Sequence, residues 1–284
     1  MRSYKFNRLI PYLLVLPGVT WLTILFLVPL LGEVKTSLEE GSILWGISFT
    51  WHWQNYLEAL TNFDTVFLRS FVYAALATLL TILIGYPLAY FIVFRGGKWK
   101  TLLLFPVIVP FLITYLVRTI SIEALFADNG PILGWLKAWH LLPQGSFILG
   151  TPAAVVFALA YNFLPFAVLP IYVSLDRIDT TLLRAAEDLF AAPLRVFRKV
   201  VLPLSLPGVF AGTLLTFIPA SGDFVNAMML GAPQNQMIGN VIQDRYLVTL
   251  DYPLASATSL ILMICLVICV AVYSRIFGTE ELTG

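Results

Sequence analysis

The chain has 284 residues, of which 59% are hydrophobic and 12% charged, about half the charged share of a soluble domain. Its mean hydropathy is +0.88, which excludes a single soluble core and points to a polytopic membrane protein, read as one transmembrane domain over residues 1–284. A formal net charge of +1 excludes the electrostatic footprint of a nucleic-acid or strongly acidic partner.

In chain order, Arg2, Lys5 and Arg8 precede an apolar run over about 10–31. That run is too long for a signal-peptide core and no small-residue cleavage site follows it, so it is predicted to span as helix one. Residues 32–64 are polar and aromatic, and Trp45, Trp51 and Trp53 suit an interfacial belt. Helix two is predicted over 66–94, longer than the roughly 20 residues a bilayer needs, so it tilts or protrudes. The basic turn Arg95-Gly-Gly-Lys-Trp-Lys100 contains Gly97-Lys98 but lacks the first glycine and the Ser/Thr of a phosphate loop.

Helix three is predicted over 101–120 with Pro106 and Pro110 inside it, followed by a short helix after the turn Asp128-Asn129-Gly130-Pro131. Helix four covers 151–175 and contains Tyr161-Asn162-Phe163-Leu164-Pro165-Phe166. Helices five and six cover 206–230 and 255–276, with a loop over 231–253 between them. Cys265 and Cys269 fall inside helix six and read as small core residues, not as a disulfide or metal pair. His52 and His140 each adjoin tryptophan and read as loop or interface residues.

Between helices four and five lies the most charged interval, 176–204, predicted as two short helices and a bend. Ile178, Leu182, Ala185, Ala186 and Leu189 form a stripe at helical spacing. Asp179 or Thr180 can cap its start, and Pro193 suits the first turn of a second helix whose apolar face is Leu194, Phe197, Val200 and Val201. Pro203 and Pro207 are predicted to re-aim the chain. Periodicity leaves two readings open, a pair of helices lying on lipid or a plug inserted into the groove of a soluble partner. Of the 17 Lys and Arg, twelve fall on the side of the termini, the 95–100 turn and this interval, which places that side in the cytoplasm.

The segment LLRAAEDLFAAPLRVFRKVVLPLSLPG resembles the EAA loop of ABC-importer permease subunits. Ala185, Ala186, Leu202 and Pro203 match that pattern, Val200 stands for Ile, Arg184 for Glu and Phe190 for Gly. Arg184 and Glu187 are spaced to pair on one helix face, and the bend is expected at Ala191-Ala192-Pro193 in place of the missing glycine. LVRTISIEALFADNGPI, YNFLPFAVLPIYVSLDRID and SGDFVNAMMLGAPQNQMIGNVIQDRYL are similar to the spermidine/putrescine branch of these permeases.

The resemblance implies an all-α membrane protein of six transmembrane helices with the type I ABC importer permease fold, sited in the bacterial inner membrane. It implies a second homologous permease, two ATP-binding subunits and a periplasmic or lipid-anchored substrate-binding protein. ATP and Mg would belong to the partner subunit, with no cofactor, metal or catalytic residue in this chain. Arg184, Ala185, Ala186, Glu187, Asp188, Phe190, Leu202 and Pro203 would form the coupling surface.

A polyamine pathway needs carboxylates, carbonyls and aromatic faces, because ammonium groups are drawn to ring quadrupoles. An acid in hydrocarbon costs at least about 2.5 kcal/mol on insertion scales and is therefore a functional candidate. Asp223 is the strongest such candidate, following Pro219, Ser221 and Gly222 and sharing its segment with Asn226; the other reading pairs it with a basic or amide group at the subunit interface or places it near the periplasmic end. Glu123 is either a vestibule acid or a solvated loop residue. Tyr161, Asn162, Phe163 and Phe166 form either a stacking wall or core packing. Arg118 is set aside as a ligand and expected to cap the end of helix three or pair with an acid in its own or the partner subunit. An ion-coupled secondary transporter of small cations or amines is the alternative function, though the halves show no clear repeat. No hydrolase or metalloprotease motif points to an enzyme.

Overall fold

The computed structural model describes residues 10–42, 46–143 and 145–277; Arg2, Lys5, Arg8 and Trp45 lie outside them. Among the described residues, five helices are long and apolar enough to cross a membrane, or six if the bent pair Gly97–Leu112 and Tyr115–Ala138 counts as one span. The chain divides into two compact units, Met1–Asn62 with Ile242–Met263, and Phe63–Val241 with Ile264–Gly284.

In the first unit, α1 (Ile10–Leu22) continues through a π turn at Thr23–Leu27 into α2 (Val28–Ser37). The first span therefore extends beyond the predicted end at 31, since Gly32 carries no capping geometry and the helix stops only at Leu38, whose N–H turns back to the Lys35 carbonyl at 3.1 Å. Strands β1 (Glu39–Ser42) and β2 (Gly46–Phe49) then form an antiparallel hairpin, unforeseen because no period-2 alternation marks EEGS. Helix α3 (Gln54–Asn62) follows. Asn55 Nδ2 donates to the Ser37 and Glu39 carbonyls, both at 2.9 Å, and so ties α3 to the end of the first span. Rings of Phe49, Trp51, Trp53 and Tyr56 run in sequence at 5.1, 6.4 and 5.8 Å.

The second unit is built on α4 (Asp64–Arg95). Helices α5 (Lys100–Ile108), α6 (Tyr115–Phe126) and α7 (Pro131–Ala138) follow it, then α8 (Pro152–Asp176), α9 (Thr180–Asp188), α10 (Pro193–Val196), α11 (Leu202–Ser221) and α12 (Val225–Leu230). Helix α13 (Ile238–Leu247) occupies the stretch predicted as a loop and α14 (Tyr252–Phe277) ends the described chain; from Ile242 to Met263 these two helices belong to the first unit. Helices α4, α8 and α11 pack on one another. The contact is close because small residues face it, as helix association in a bilayer favours. A Cβ on Gly208 would lie 2.6 Å from the Pro170 carbonyl oxygen, and one on Gly212 would lie 3.0 Å from the Ala167 Cα. Tyr86 and Ser205 hydroxyls meet at 2.7 Å across α4 and α11.

Predicted spans 66–94, 151–175 and 255–276 correspond to α4, α8 and α14 with ends shifted by one to three residues, the usual scatter of helix boundaries. Thr151 caps α8 by accepting the Ala154 N–H at 3.2 Å. Two predicted spans are corrected. Helix three is not continuous over 101–120. After Pro106 and Pro110 remove two backbone donors, the chain passes through a 3-10 turn (Val109–Leu112) and extended Ile113 and Thr114, and the two halves diverge by 99°. Helix five does not run 206–230; it ends at Ser221, and Gly222 to Phe224 separate it from α12. Nor do Pro203 and Pro207 re-aim the chain. Pro193–Ser221 is one apolar helical stretch, because Pro203 sits at the start of α11 and a π turn at Phe197–Val201 absorbs the irregularity upstream of it.

Candidate functional site

The two helix breaks meet. Tyr115, at the start of α6, donates its hydroxyl hydrogen to Asp223 Oδ2, and Asn226 Nδ2 donates to the same hydroxyl. Asp223 Oδ1 accepts the Asn226 backbone N–H at 2.8 Å, so the carboxylate caps the first turn of α12. Thr119 Oγ1 donates to Asn226 Oδ1 at 3.1 Å. Asn162, about midway along α8, donates from Nδ2 to Thr119 Oγ1 at 3.2 Å and to Asn226 Oδ1 at 3.1 Å. Asp223 is 8% exposed, and Asn162, Asn226 and Thr119 are fully buried.

Arg118 is buried as well. Its Nη1 donates to the Asn162 carbonyl at 3.1 Å, and its Cζ lies 5.6 Å from the Tyr115 ring centroid. Among the described residues it pairs with no acid: its ring neighbour Tyr115 turns its hydroxyl toward the Asp223 carboxylate and its ring toward the guanidinium. Two polar atoms in this network, Arg118 Nε and Asn162 Oδ1, are buried without a hydrogen-bond partner. Native interiors rarely leave such groups unsatisfied, and here they mark where an additional donor and acceptor would fit.

The structure thus brings Asp223, Asn226 and Asn162 together. Phe163 joins them through the Tyr115 ring at 6.0 Å, and Phe166 follows at 6.1 Å from Phe163 and 5.1 Å from Phe111. The aromatic row is Tyr115, Phe163, Phe166 and Phe111; Tyr161, at 39% exposure, makes none of these ring contacts. Glu123 is half-buried on α6 and has no hydrogen bond or ion pair among the described residues. Sequence reasoning missed Tyr115 and Thr119. Their spacing with Arg118, Ile122 and Phe126, all on the buried side of α6, is the signal that could have found them once a break after Pro110 is assumed.

Beyond the break, side chains hold the 231–240 segment in place. Asn240 Nδ2 donates to the Phe224 carbonyl at 2.8 Å, the Ile238 N–H donates to Ser70 Oγ at 2.6 Å, and Arg69 Nη1 reaches the Gln234 carbonyl. Asn235 Nδ2 donates to the Gly150 carbonyl at 2.7 Å, beside a backbone bridge between Gly150 and Gly231.

At the other end of α8, the charged hairpin presents the second candidate surface. Lys100 Nζ pairs with Asp176 Oδ1 at 2.7 Å, and Phe197 packs edge-on against Tyr86 and Tyr90 at 5.9 and 5.8 Å. Asp179 is the cap of α9, its Oδ1 accepting the Thr181 N–H at 2.8 Å, and that bond holds its carboxyl below the usual carboxylate range. Above this anchored base Leu182, Leu189, Phe190 and Leu194 are exposed, Phe190 by 96%. Leu194 therefore does not share the inward face of Val196, Phe197 and Val201. The bend spans residues 189–192 and so includes Ala191 and Ala192, but it begins upstream of them, with Phe190 itself at φ +55°. Arg184, Ala185 and Asp188 are exposed and Ala186 is half-buried, whereas Leu202 and Pro203 belong to α11. The expected partner of Arg184, the Glu187 side chain, lies outside what the structure describes.

A bent helix three, a broken helix five and a short charged hairpin between two long spans are features of a membrane transport subunit, and the family match says of which kind. The family described as binding-protein-dependent transport system inner membrane component matches residues 81–278, and the chain belongs to it as a transport permease of the multi-pass inner membrane. It is 34% identical over 258 residues to the spermidine/putrescine transport system permease protein PotB of Escherichia coli (strain K12), covering 90% of this chain and 94% of that one. It is 33% identical over 263 residues to PotB of Haemophilus influenzae, covering 90% of each. The inner membrane ABC transporter permease protein YdcU of Escherichia coli (strain K12) is 30% identical over 235 residues, 78% of this chain and 74% of that one. A bacterial ABC transporter that imports the acidic polysaccharide alginate superposes with a TM-score of 0.75 at 14% identity, covering 95% of both chains. The inward-facing MetNI methionine ABC transporter gives 0.54 at 18% identity, covering 76% of this chain and 92% of that one. At those identities the two structures establish the ABC importer permease fold and nothing about cargo. Family membership sets aside the ion-coupled secondary transporter.

Proposed function

We propose that this subunit forms half of the translocation pathway of an ATP-driven importer of spermidine, putrescine or related organic cations. The observation that carries this reading is the 34% identity to PotB across 90% of the chain. The network at the broken helices supports it chemically. A carboxylate, two amide side chains and a row of aromatic faces suit an ammonium cargo, and discontinuous helices meeting midway across a bilayer are where transporters commonly place substrate. Asp223 would neutralise the ammonium, Asn162 and Asn226 would accept its hydrogens, and Phe163 and Phe166 would face its methylenes. Glu123 and Tyr161 would line the approach.

A second, homologous permease completes the pathway, and a periplasmic or lipid-anchored binding protein delivers the amine. Two ATP-binding subunits hold ATP and Mg, dock on the exposed hairpin through Arg184, Ala185, Ala186, Glu187, Asp188 and Phe190, and lie on the side of both termini, the cytoplasm. Leu202 and Pro203 carry the motion into α11. No catalytic residue or cofactor belongs to this chain.

The test is uptake of labelled putrescine and spermidine by proteoliposomes holding the assembled system. Uptake should stop when the partner's ATP hydrolysis is blocked and survive collapse of the proton gradient. Uptake that follows the proton gradient, or no uptake of any amine, overturns the reading.

A further inference from the structure

A cavity of 460 Å³ lies wholly within the first unit, lined by Glu33, Thr36, Glu39, Tyr246, Tyr252 and Ser256 among others. Glu39 is ion-paired with Lys35 at 3.3 Å; the Lys35 side chain is exposed, whereas that of Glu39 is largely buried and lines the cavity. Glu33, four residues before the end of the first span, has no hydrogen bond or ion pair among the described residues. Ser256 is 7% exposed, and its hydroxyl has no hydrogen-bond partner either. Thr258 on the same helix behaves in the ordinary way, bonding back to the Leu254 carbonyl at 2.7 Å. The Ser256 side chain makes no such back-bond and opens onto the cavity, where its hydroxyl is available to a ligand. The Tyr246 and Tyr252 rings meet edge-to-face at 4.6 Å, adding aromatic faces to the wall. A divalent metal is the poorer fit, since no group of three or more His, Cys, Asp or Glu that could hold one occurs among the described residues.

We propose that this cavity binds a primary ammonium group, with Glu33 as counter-ion, the Ser256 hydroxyl accepting one N–H, the tyrosine pair flanking the cation, and Glu39 anchoring a second ammonium where the ligand is a diamine. The ammonium can come from a free amine or from the headgroup of an ethanolamine lipid. The free-amine source rests on the transport function proposed above; the chemistry of the cavity does not.

Equilibrium dialysis of labelled 1,4-diaminobutane against the assembled permease, without its binding protein, in phosphatidylglycerol nanodiscs reads the site directly. Wild type should show saturable binding, Glu33→Gln should weaken it by about tenfold, as loss of one charge-assisted bond does, and Glu33→Asp should restore part of it. Tyr252→Phe should bind as wild type and Tyr252→Ala more weakly. Loss of diamine binding when phosphatidylethanolamine is added assigns the site to the lipid headgroup, and persistence assigns it to the free amine; both support an ammonium site. Equal binding by wild type and Glu33→Gln overturns it. Uptake is measured in parallel: failed uptake with Glu33-dependent binding intact sinks the transport reading alone, whereas normal uptake with Glu33-independent binding sinks this site alone.

Discussion

Tyr115 serves two neighbours of opposite charge. Its hydroxyl satisfies Asp223 while its ring faces Arg118, so two buried ionisable groups coexist without a direct ion pair, an arrangement whose desolvation penalty would otherwise be hard to offset. Tyr115→Phe is expected to leave Asp223 Oδ2 and Asn226 Nδ2 short of a partner and to destabilise the subunit by about 1–3 kcal/mol, read as a lower thermal midpoint in detergent. Asp223→Asn keeps an oxygen for the Asn226 N–H and so keeps the α12 cap. It should preserve assembly while raising the KM for amine uptake by about tenfold, the size of one charge-assisted bond; an unchanged concentration dependence would remove Asp223 from the pathway. Phe190 is a different case. A β-carbon at φ +55° is strained by about 1–2 kcal/mol, and a fully exposed ring gains nothing from the fold in return. Phe190→Gly should relieve the strain at the turn yet weaken stimulation of ATP hydrolysis in the complex, whereas Phe190→Asp should abolish stimulation with the subunit still inserted. Normal ATP-driven uptake by Phe190→Asp would refute a docking role for this side chain.

At the scale of elements, prolines and glycines act according to their neighbours. Pro203 and Pro207 sit inside a helical stretch, while Pro106 and Pro110 precede a 99° bend. The difference is that the freed groups after Pro110 are followed by Tyr115, Arg118 and Thr119, whose partners lie on α8 and α12 and hold the redirected helix. Gly208→Leu should prevent α11 from approaching α8, since even a Cβ there meets the Pro170 carbonyl at 2.6 Å, and loss of a folded subunit on size exclusion would record it. The α9 cap predicts a pH effect. The Asp179 carboxyl, held below its ordinary 3.8 by the Thr181 N–H, stabilises the helix start above that ordinary value. The contribution is lost as pH falls through the lower folded value, because protonation removes the better acceptor. Amide exchange at Thr181 and Leu182 should quicken only in that acid range, and Asp179→Ala should quicken it at every pH.

For the whole molecule, the network at the helix breaks draws on α8 near its middle through Asn162, and the exposed hairpin follows directly from the end of that same long helix. Motion imposed at the hairpin therefore reaches the network through a rigid element. Hydropathy, charge placement and helical spacing determined by themselves that this chain crosses a membrane repeatedly, where the long spans lie, and where a charged hairpin interrupts them, since each of these is a local property summed over a window. The hairpin's Asp179 cap was legible for the same reason. Only the tertiary structure decided that helices three and five are broken, that Phe190 takes the left-handed conformation in the bend, and that Tyr115 and Thr119 belong with Asp223 and Asn226. Tyr115 and Asp223 are 108 residues apart, and whether a proline kinks, breaks or merely begins a helix depends on which distant side chains satisfy the groups it frees.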